Sequence, residues 1–238
     1  MEFVAFPGRG RQYRVASRVR FGDTDPAGRL RLDALARLVQ DIGNDDLADA
    51  GLDAASPWVT RRTEVRVVGA WPRLGEPLEV TTFCSGLGRR WGERRTSVRS
   101  AQGAAEVSAV WIFVDADGKP ARLPAEFLTV YEESAEGRRP STRLHHPPPP
   151  PEATTRPWPL RATDVDAFGH VNNAATWAPV EEEVSRRGVV PRWAELEYRG
   201  AIGPDDDVVL RGEAGAGGDL WLWLTCDGEV RASARLGC

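Results

Sequence analysis

Lysine is almost missing from this chain. Lys119 is the only one, so nearly all of the 31 basic residues are arginine, and against 35 acidic residues the net charge is −4. No strongly basic domain results, which argues against nucleic acid as a partner. Cysteine is scarce as well: Cys84, Cys226 and Cys238 are an odd number without C-x-x-C spacing, supporting neither a disulfide framework nor a cysteine zinc site. Reduced thiols inside a cell fit best. Long apolar runs are absent, the longest being the six residues Ala109 to Val114, against the roughly 18 of a membrane span. The N-terminus lacks a basic stretch followed by an apolar core, so the expected location is cytoplasmic and no membrane partner is expected. Of three histidines, His145 and His146 adjoin a proline run with no third ligand in view, so no metal is expected there.

What is present suffices for a globular protein, with 41% apolar and 28% charged residues. Around HHPPPPPEATTRP, His145 to Pro157, consecutive prolines fix φ and remove donors, which predicts an extended connector. The expected organisation is a first repeat over residues 1–140, a proline-rich linker over 141–156 and a second repeat over 157–238.

Each half carries the same order of signals. The first reads as a strand at Tyr13 to Phe21, then a helix face of Leu32, Leu35, Leu38, Val39 and Ile42, then four strand patterns up to Val114. The second reads as a short strand at Pro159 to Thr163, then a helix face of Val171, Ala174, Trp177, Val180 and Val184, then four strand patterns up to Leu236. Residues match too: FGDTDPAGRL at Phe21 to Leu30 aligns with ATDVDAFGHV at Ala162 to Val171, and EVRVVGA at Glu64 to Ala70 with ELEYRGA at Glu195 to Ala201. An internal duplication accounts for both. A strand, a helix and a curved antiparallel sheet around the helix form the hotdog unit, so the expected fold class is α+β, a tandem double hotdog.

Both halves read D-x-D-x-x-G where strand passes to helix: Asp23, Asp25 and Gly28, then Asp164, Asp166 and Gly169. The plain reading is a helix cap with a glycine turn. The second copy adds His170 where the first has Arg29, followed by Asn172 and Asn173. A carboxylate and an imidazole beside free N–H groups at a helix start, near Gly169 to Asn172, form a site at which water attacks an acyl carbonyl.

DVDAFGHVNNAATW, with LEYRGA at Leu196 to Ala201, QDIGNDDLADAGL, WVTRRTEVRVVGAWPRLGEPLEVTTF and SAVWIFVDADGKPARLPAEF, resembles the acyl-ACP thioesterase family in order along most of residues 11–236. The resemblance implies a double-hotdog enzyme that hydrolyses fatty acyl-ACP to free fatty acid and ACP in fatty acid biosynthesis, with acyl carrier protein as partner and no cofactor. It implies Asp166 and His170 as catalytic residues, with Gly169, Asn172 and Asn173 around the substrate. The chain departs from the family at Phe168, where an asparagine is usual, at Ala201, where a glutamate is usual, and at Ile202, where plant members carry cysteine. FGDTDPAG also resembles the aspartate motif of 4-hydroxybenzoyl-type acyl-CoA thioesterases, which makes Asp25 an alternative catalytic residue and acyl-CoA an alternative substrate. A non-catalytic protein that binds acyl chains or their carrier is the third reading. The arginines of GRRWGERRTSVR, Gly88 to Arg99, read either as a dock for an acidic carrier helix or as a solvated strand face. Monomer and homodimer both remain compatible with the duplication.

Overall fold

A computed structural model describes residues 3–53, 58–215 and 217–238. The chain groups into two compact units, Met1–Leu30 with Leu38–Arg143 and Arg31–Arg37 with Leu144–Cys238.

Five antiparallel strands form the sheet of the first unit: β1 (Tyr13–Arg18), β2 (Trp58–Gly69), β3 (Pro77–Leu87), β4 (Trp91–Arg99) and β5 (Gly103–Phe113), in the order β1-β3-β4-β5-β2. Each was expected from an alternating or apolar stretch; β2 and β3 extend beyond it at both ends, β4 and β5 start earlier and end one residue sooner, and β1 stops short of it. Helix α1 (Leu32–Asp49) carries Asp33 in its first turn, where a carboxylate meets the positive helix end. Of the expected face, Leu32, Leu35, Val39 and Ile42 are buried and Leu38 is half-buried, and Val80, Phe83, Val98 and Val107 are buried on the strands.

The second unit repeats the pattern with β6 (Thr154–Pro157), β7 (Trp193–Tyr198), β8 (Val208–Ala214), β9 (Leu220–Cys226) and β10 (Glu229–Gly237), in the order β7-β10-β9-β8-β6. Numbered within its own unit, each sheet runs first, third, fourth, fifth, second strand. Two features correct the expectation. The opening strand is β6, not Pro159 to Thr163, which runs irregularly into a short 3-10 turn at Ala162–Asp164. Thr154 to Pro157 pair with Val209 to Gly212 at the end of the strand order, where a proline's missing N–H costs no ladder bond. The second helix begins late: a 3-10 turn at Ala175–Trp177 leads into α3 (Ala178–Arg187), so Val171 lies outside it.

Helix α2 (Ala125–Ala135) was not expected from sequence. It buries Phe127, Tyr131 and Ala135, an i, i+4, i+8 face. The connector is extended, and its bare carbonyls are met by side-chain donors, Trp223 Nε1 to Pro147 (2.8 Å) and Arg211 to Pro150 (2.8 Å). Among the described residues no helix is long and apolar enough to cross a membrane.

Candidate active site

The segment Val165 to Val171 folds as a tight hairpin. Val165 and Val171 pair across it, the Asp166 N–H donates to the His170 carbonyl (3.0 Å), and the Gly169 N–H donates back to the Asp166 carbonyl (3.0 Å). Gly169 takes φ +78°, the left-handed conformation that makes glycine the favoured residue at this turn. The Asp166 and His170 backbones are thereby joined across the turn, with Gly169 as the extra residue of a glycine bulge.

The two groups differ in how they are held. Asp166 is half-buried; its Oδ1 accepts the Phe168 N–H (2.9 Å) and its Oδ2 the Asn172 side-chain amide (3.2 Å). His170 is exposed, and among the described residues its imidazole has no hydrogen-bond or ion-pair partner. Asn172 ties the carboxylate to the turn that leads toward α3: its Oδ1 accepts the Ala174 N–H (2.8 Å) and its carbonyl the Thr176 N–H (3.1 Å). Asp164 is buried and accepts the Arg161 N–H (2.9 Å) together with the Arg161 guanidinium (2.6 Å), which fixes the entry to the hairpin.

The expected cradle of free N–H groups at a helix start is not formed. Gly169 donates to Asp166, Val171 to the Ile202 carbonyl (2.9 Å) and Asn172 to the Asp164 carbonyl (2.8 Å), and α3 begins only at Ala178. Hairpin closure and the Val171 bond consume these donors. Among the described residues the His170 N–H and the Asn173 side-chain amide are not used this way, while the Asn173 carbonyl accepts the Tyr198 hydroxyl (3.0 Å). The Val171 bond also brings the segment after β7 beside the hairpin. Ala201 is exposed there and offers no proton acceptor in its side chain. Phe168 stands at the hairpin tip with 70% of its surface exposed.

The first copy has the same backbone and different chemistry. Thr24 pairs with Leu30, Asp25 N–H donates to the Arg29 carbonyl (2.9 Å), Gly28 N–H to the Asp25 carbonyl (2.9 Å), and Gly28 has φ +81°. Here the carboxylate is occupied. Asp25 accepts the N–H groups of Ala27 (2.9 Å) and Arg29 (2.8 Å), and its second oxygen takes the buried Arg29 guanidinium (2.9 Å).

Two other expectations change. Of the arginines from Gly88 to Arg99, Arg94 and Arg95 turn inward, Arg94 onto Asp46 (2.6 Å) and Arg95 onto Glu106 (2.6 Å), while Arg89, Arg90 and Arg99 stay exposed. The histidine pair at the connector, without a third ligand in sequence, meets two carboxylates from β7. His146, Glu195 and Glu197 offer ligand atoms within 4.8 Å of one another. Glu197 already accepts the His145 and His146 N–H groups and Arg199 (3.0 Å), and His146 Nδ1 lies 3.0 Å from the Ser233 hydroxyl. These contacts fasten the connector to β7 and β10. Cys84 and Cys226 are buried free thiols, and burial pushes both up, Cys84 to about 12, which suits neither to nucleophilic attack.

The family model of the acyl-ACP thioesterase N-terminal domain matches residues 10–131. An uncharacterised protein of Mycobacterium tuberculosis is 33% identical over 220 residues, covering 90% of this chain and 87% of the relative. Among solved structures, a putative oleoyl thioesterase from Lactobacillus plantarum superposes with a TM-score of 0.83 at 18% identity, covering 96% of each chain. A 12:0-ACP thioesterase from Umbellularia californica does so with 0.79 at 17% identity, covering 97% of this chain and 98% of that one. The fold is the double hotdog, two repeats of one helix-and-sheet plan with α2 added to the first.

Proposed function

We propose, since the chain belongs to the acyl-ACP thioesterase family, that it hydrolyses fatty acyl-ACP to free fatty acid and ACP, as a cytoplasmic step of fatty acid biosynthesis. Thioester hydrolysis is the chemistry of the family. The observation that supports a working site is the second hairpin, which holds an oriented Asp166 carboxylate and carries the unpartnered imidazole of His170 at the other side of the same turn.

In this reading Asp166 takes a proton from water, whose oxygen attacks the thioester carbonyl; the C–S bond then breaks, and that proton passes to the departing sulfur, which leaves as the thiol. Direct attack by Asp166, giving a mixed anhydride that water then opens, uses the same carboxylate and ends in the same products. His170 shares the proton between Asp166 and the departing sulfur. Its own N–H and the Asn173 amide are the donors left for the carbonyl oxygen as negative charge develops there. Asn172 holds Asp166 and starts the turn toward α3.

Asp166 is preferred to Asp25 because three donors already occupy the first carboxylate. The exposed Phe168 and Ala201, at positions where the family resemblance implies polar side chains, favour one further reading, a protein that binds acyl carriers without cleaving them. Free-thiol release from matched acyl-ACP and acyl-CoA panels separates the cases. Faster release from acyl-ACP is expected; faster release from acyl-CoA moves the assignment to that carrier, and none from either moves it to a binding protein.

A further inference from the structure

The connector histidine His146 ends beside two carboxylates of β7, and the geometry points to a binding site for one divalent cation of the zinc type, held by His146 Nε2, Glu195 and Glu197. The site lies wholly in the second unit and owes nothing to the thioesterase reading. A bound ion there pins the connector to its sheet.

The tautomer of the ring follows from its neighbours. Nδ1 lies 3.2 Å from the Ser233 carbonyl and 3.0 Å from the Ser233 hydroxyl, and a carbonyl only accepts, so the neutral ring carries its proton on Nδ1. Nε2 then presents a lone pair. With 2% of the His146 side chain exposed, that nitrogen is buried, makes no hydrogen bond, and faces Glu195 Oε2 at 3.5 Å. Two acceptors turned on each other repel unless positive charge sits between them. A shared proton is a poor fit, because an N–H···O bond runs at about 2.7–3.2 Å. A metal ion fits: two ligands held tetrahedrally about 2.1 Å from one zinc ion lie about 3.4 Å apart. The Nδ1–H bond to a carbonyl is also the contact that orients metal-binding imidazoles.

Strand geometry supplies the other ligands. Glu195 and Glu197 are two apart on β7 and share one face of it, and Ser233 of β10 is paired opposite Glu197. The three ligand atoms lie within 4.8 Å of one another. Glu197 accepts the His145 and His146 N–H groups and Arg199, three of the roughly four lone-pair places of a carboxylate, which leaves one for the ion. Arg199 offsets part of that charge, so Glu195 supplies most of the negative charge and the expected affinity is micromolar. Glu195, with 24% of its side chain exposed, opens the route in, while the Trp221 ring closes the edge of the imidazole, 5.1 Å between centroids. One imidazole and two carboxylates, with water in the fourth place, suit zinc.

The test titrates the chelator-treated full chain with Zn²⁺, in a Cys238→Ser background that removes the exposed thiol. Competition with a chromophoric chelator reads stoichiometry and affinity, and thermal unfolding reads Tm. One ion per chain is expected, with Tm rising as Zn²⁺ is added. Loss of an orienting partner costs a metal site about 10- to 100-fold in affinity and loss of a ligand at least as much, so His146→Ala and Glu195→Gln should each bind about tenfold more weakly or worse. His145→Ala, at an exposed neighbour, binds as the parent does. Should His146→Ala fail to fold, Glu195→Gln, which keeps the size of the side chain, carries the test. No binding by the folded parent, or unchanged binding in folded Glu195→Gln, overturns the proposal. Binding kept in His146→Ala and lost in His170→Ala overturns it too, since the ion then sits at the second hairpin.

Discussion

Arg29 and His170 occupy equivalent places after two copies of one turn, and they decide what each aspartate can do. Arg29 bends back onto Asp25 at 2.9 Å and neutralises it, while His170 leaves Asp166 to two lighter bonds. The aspartates, the glycines and the exchange of arginine for histidine are all legible in sequence; which carboxylate stays available is not, because it depends on where a long side chain turns. Asn172 is the sharpest probe at this scale. Asn172→Asp keeps a good cap for the Ala174 turn and sets a second carboxylate against Asp166 Oδ2, so folding stability should change by less than about 1 kcal/mol while turnover collapses. Urea unfolding beside thiol release reads both. Equal losses in the two would make Asn172 merely structural.

The elements explain why strands were easier to foresee than helix starts. Alternating or continuous apolar stretches mark β2 to β5 and β7 to β10: β8 alternates in burial, while β3 and β9 are buried along most of their length. The late start of α3 was hidden: Val171 fits the helical spacing, but its N–H goes to Ile202, thirty-one residues downstream in number, and the chain must finish its hairpin before it can coil. Helix α2 did leave a signal in Phe127, Tyr131 and Ala135, short and set among turn residues. The hairpin itself is an element whose geometry rests on one residue. Gly169→Ala adds no clash, since nothing lies within 4 Å of the new Cβ, yet it must hold φ +78°. A cost of about 1–2 kcal/mol in stability is expected, with a larger proportional loss in kcat as His170 moves off Asp166. Alanine at 169 with unchanged kcat would separate the hairpin from catalysis.

The whole molecule is a duplication in which the strand order is kept and the chemistry has diverged. Its repeat was legible from two aligned motifs; the fastening of the connector by Glu197 and Ser233 was not, since those partners lie about fifty to ninety residues away from His146 along the chain. Global stability carries a pH signature from the first unit. Burial pushes the Cys84 thiol from 9.0 to about 12 and the Tyr131 hydroxyl from 10.0 to about 12. Both are neutral in the folded state over a range where the unfolded chain ionises, so the unfolded state binds fewer protons. Their contribution is complete below about pH 9 and is lost progressively as pH rises to about 12. Urea midpoints measured along this range should fall, and Cys84→Ala should flatten the early part of the fall; a flat profile in the wild type would contradict the burial of these groups.

In the proposed mechanism the second repeat, and not the first, carries thioester hydrolysis. Thiol release from the preferred acyl carrier by Asp166→Asn and Asp25→Asn, each normalised to folded protein, tests it most directly. Asp166→Asn is predicted to lose about 100- to 10,000-fold in turnover with acyl binding retained, and Asp25→Asn to turn over close to wild type. Full turnover in Asp166→Asn, or its loss only in Asp25→Asn, would contradict the claim.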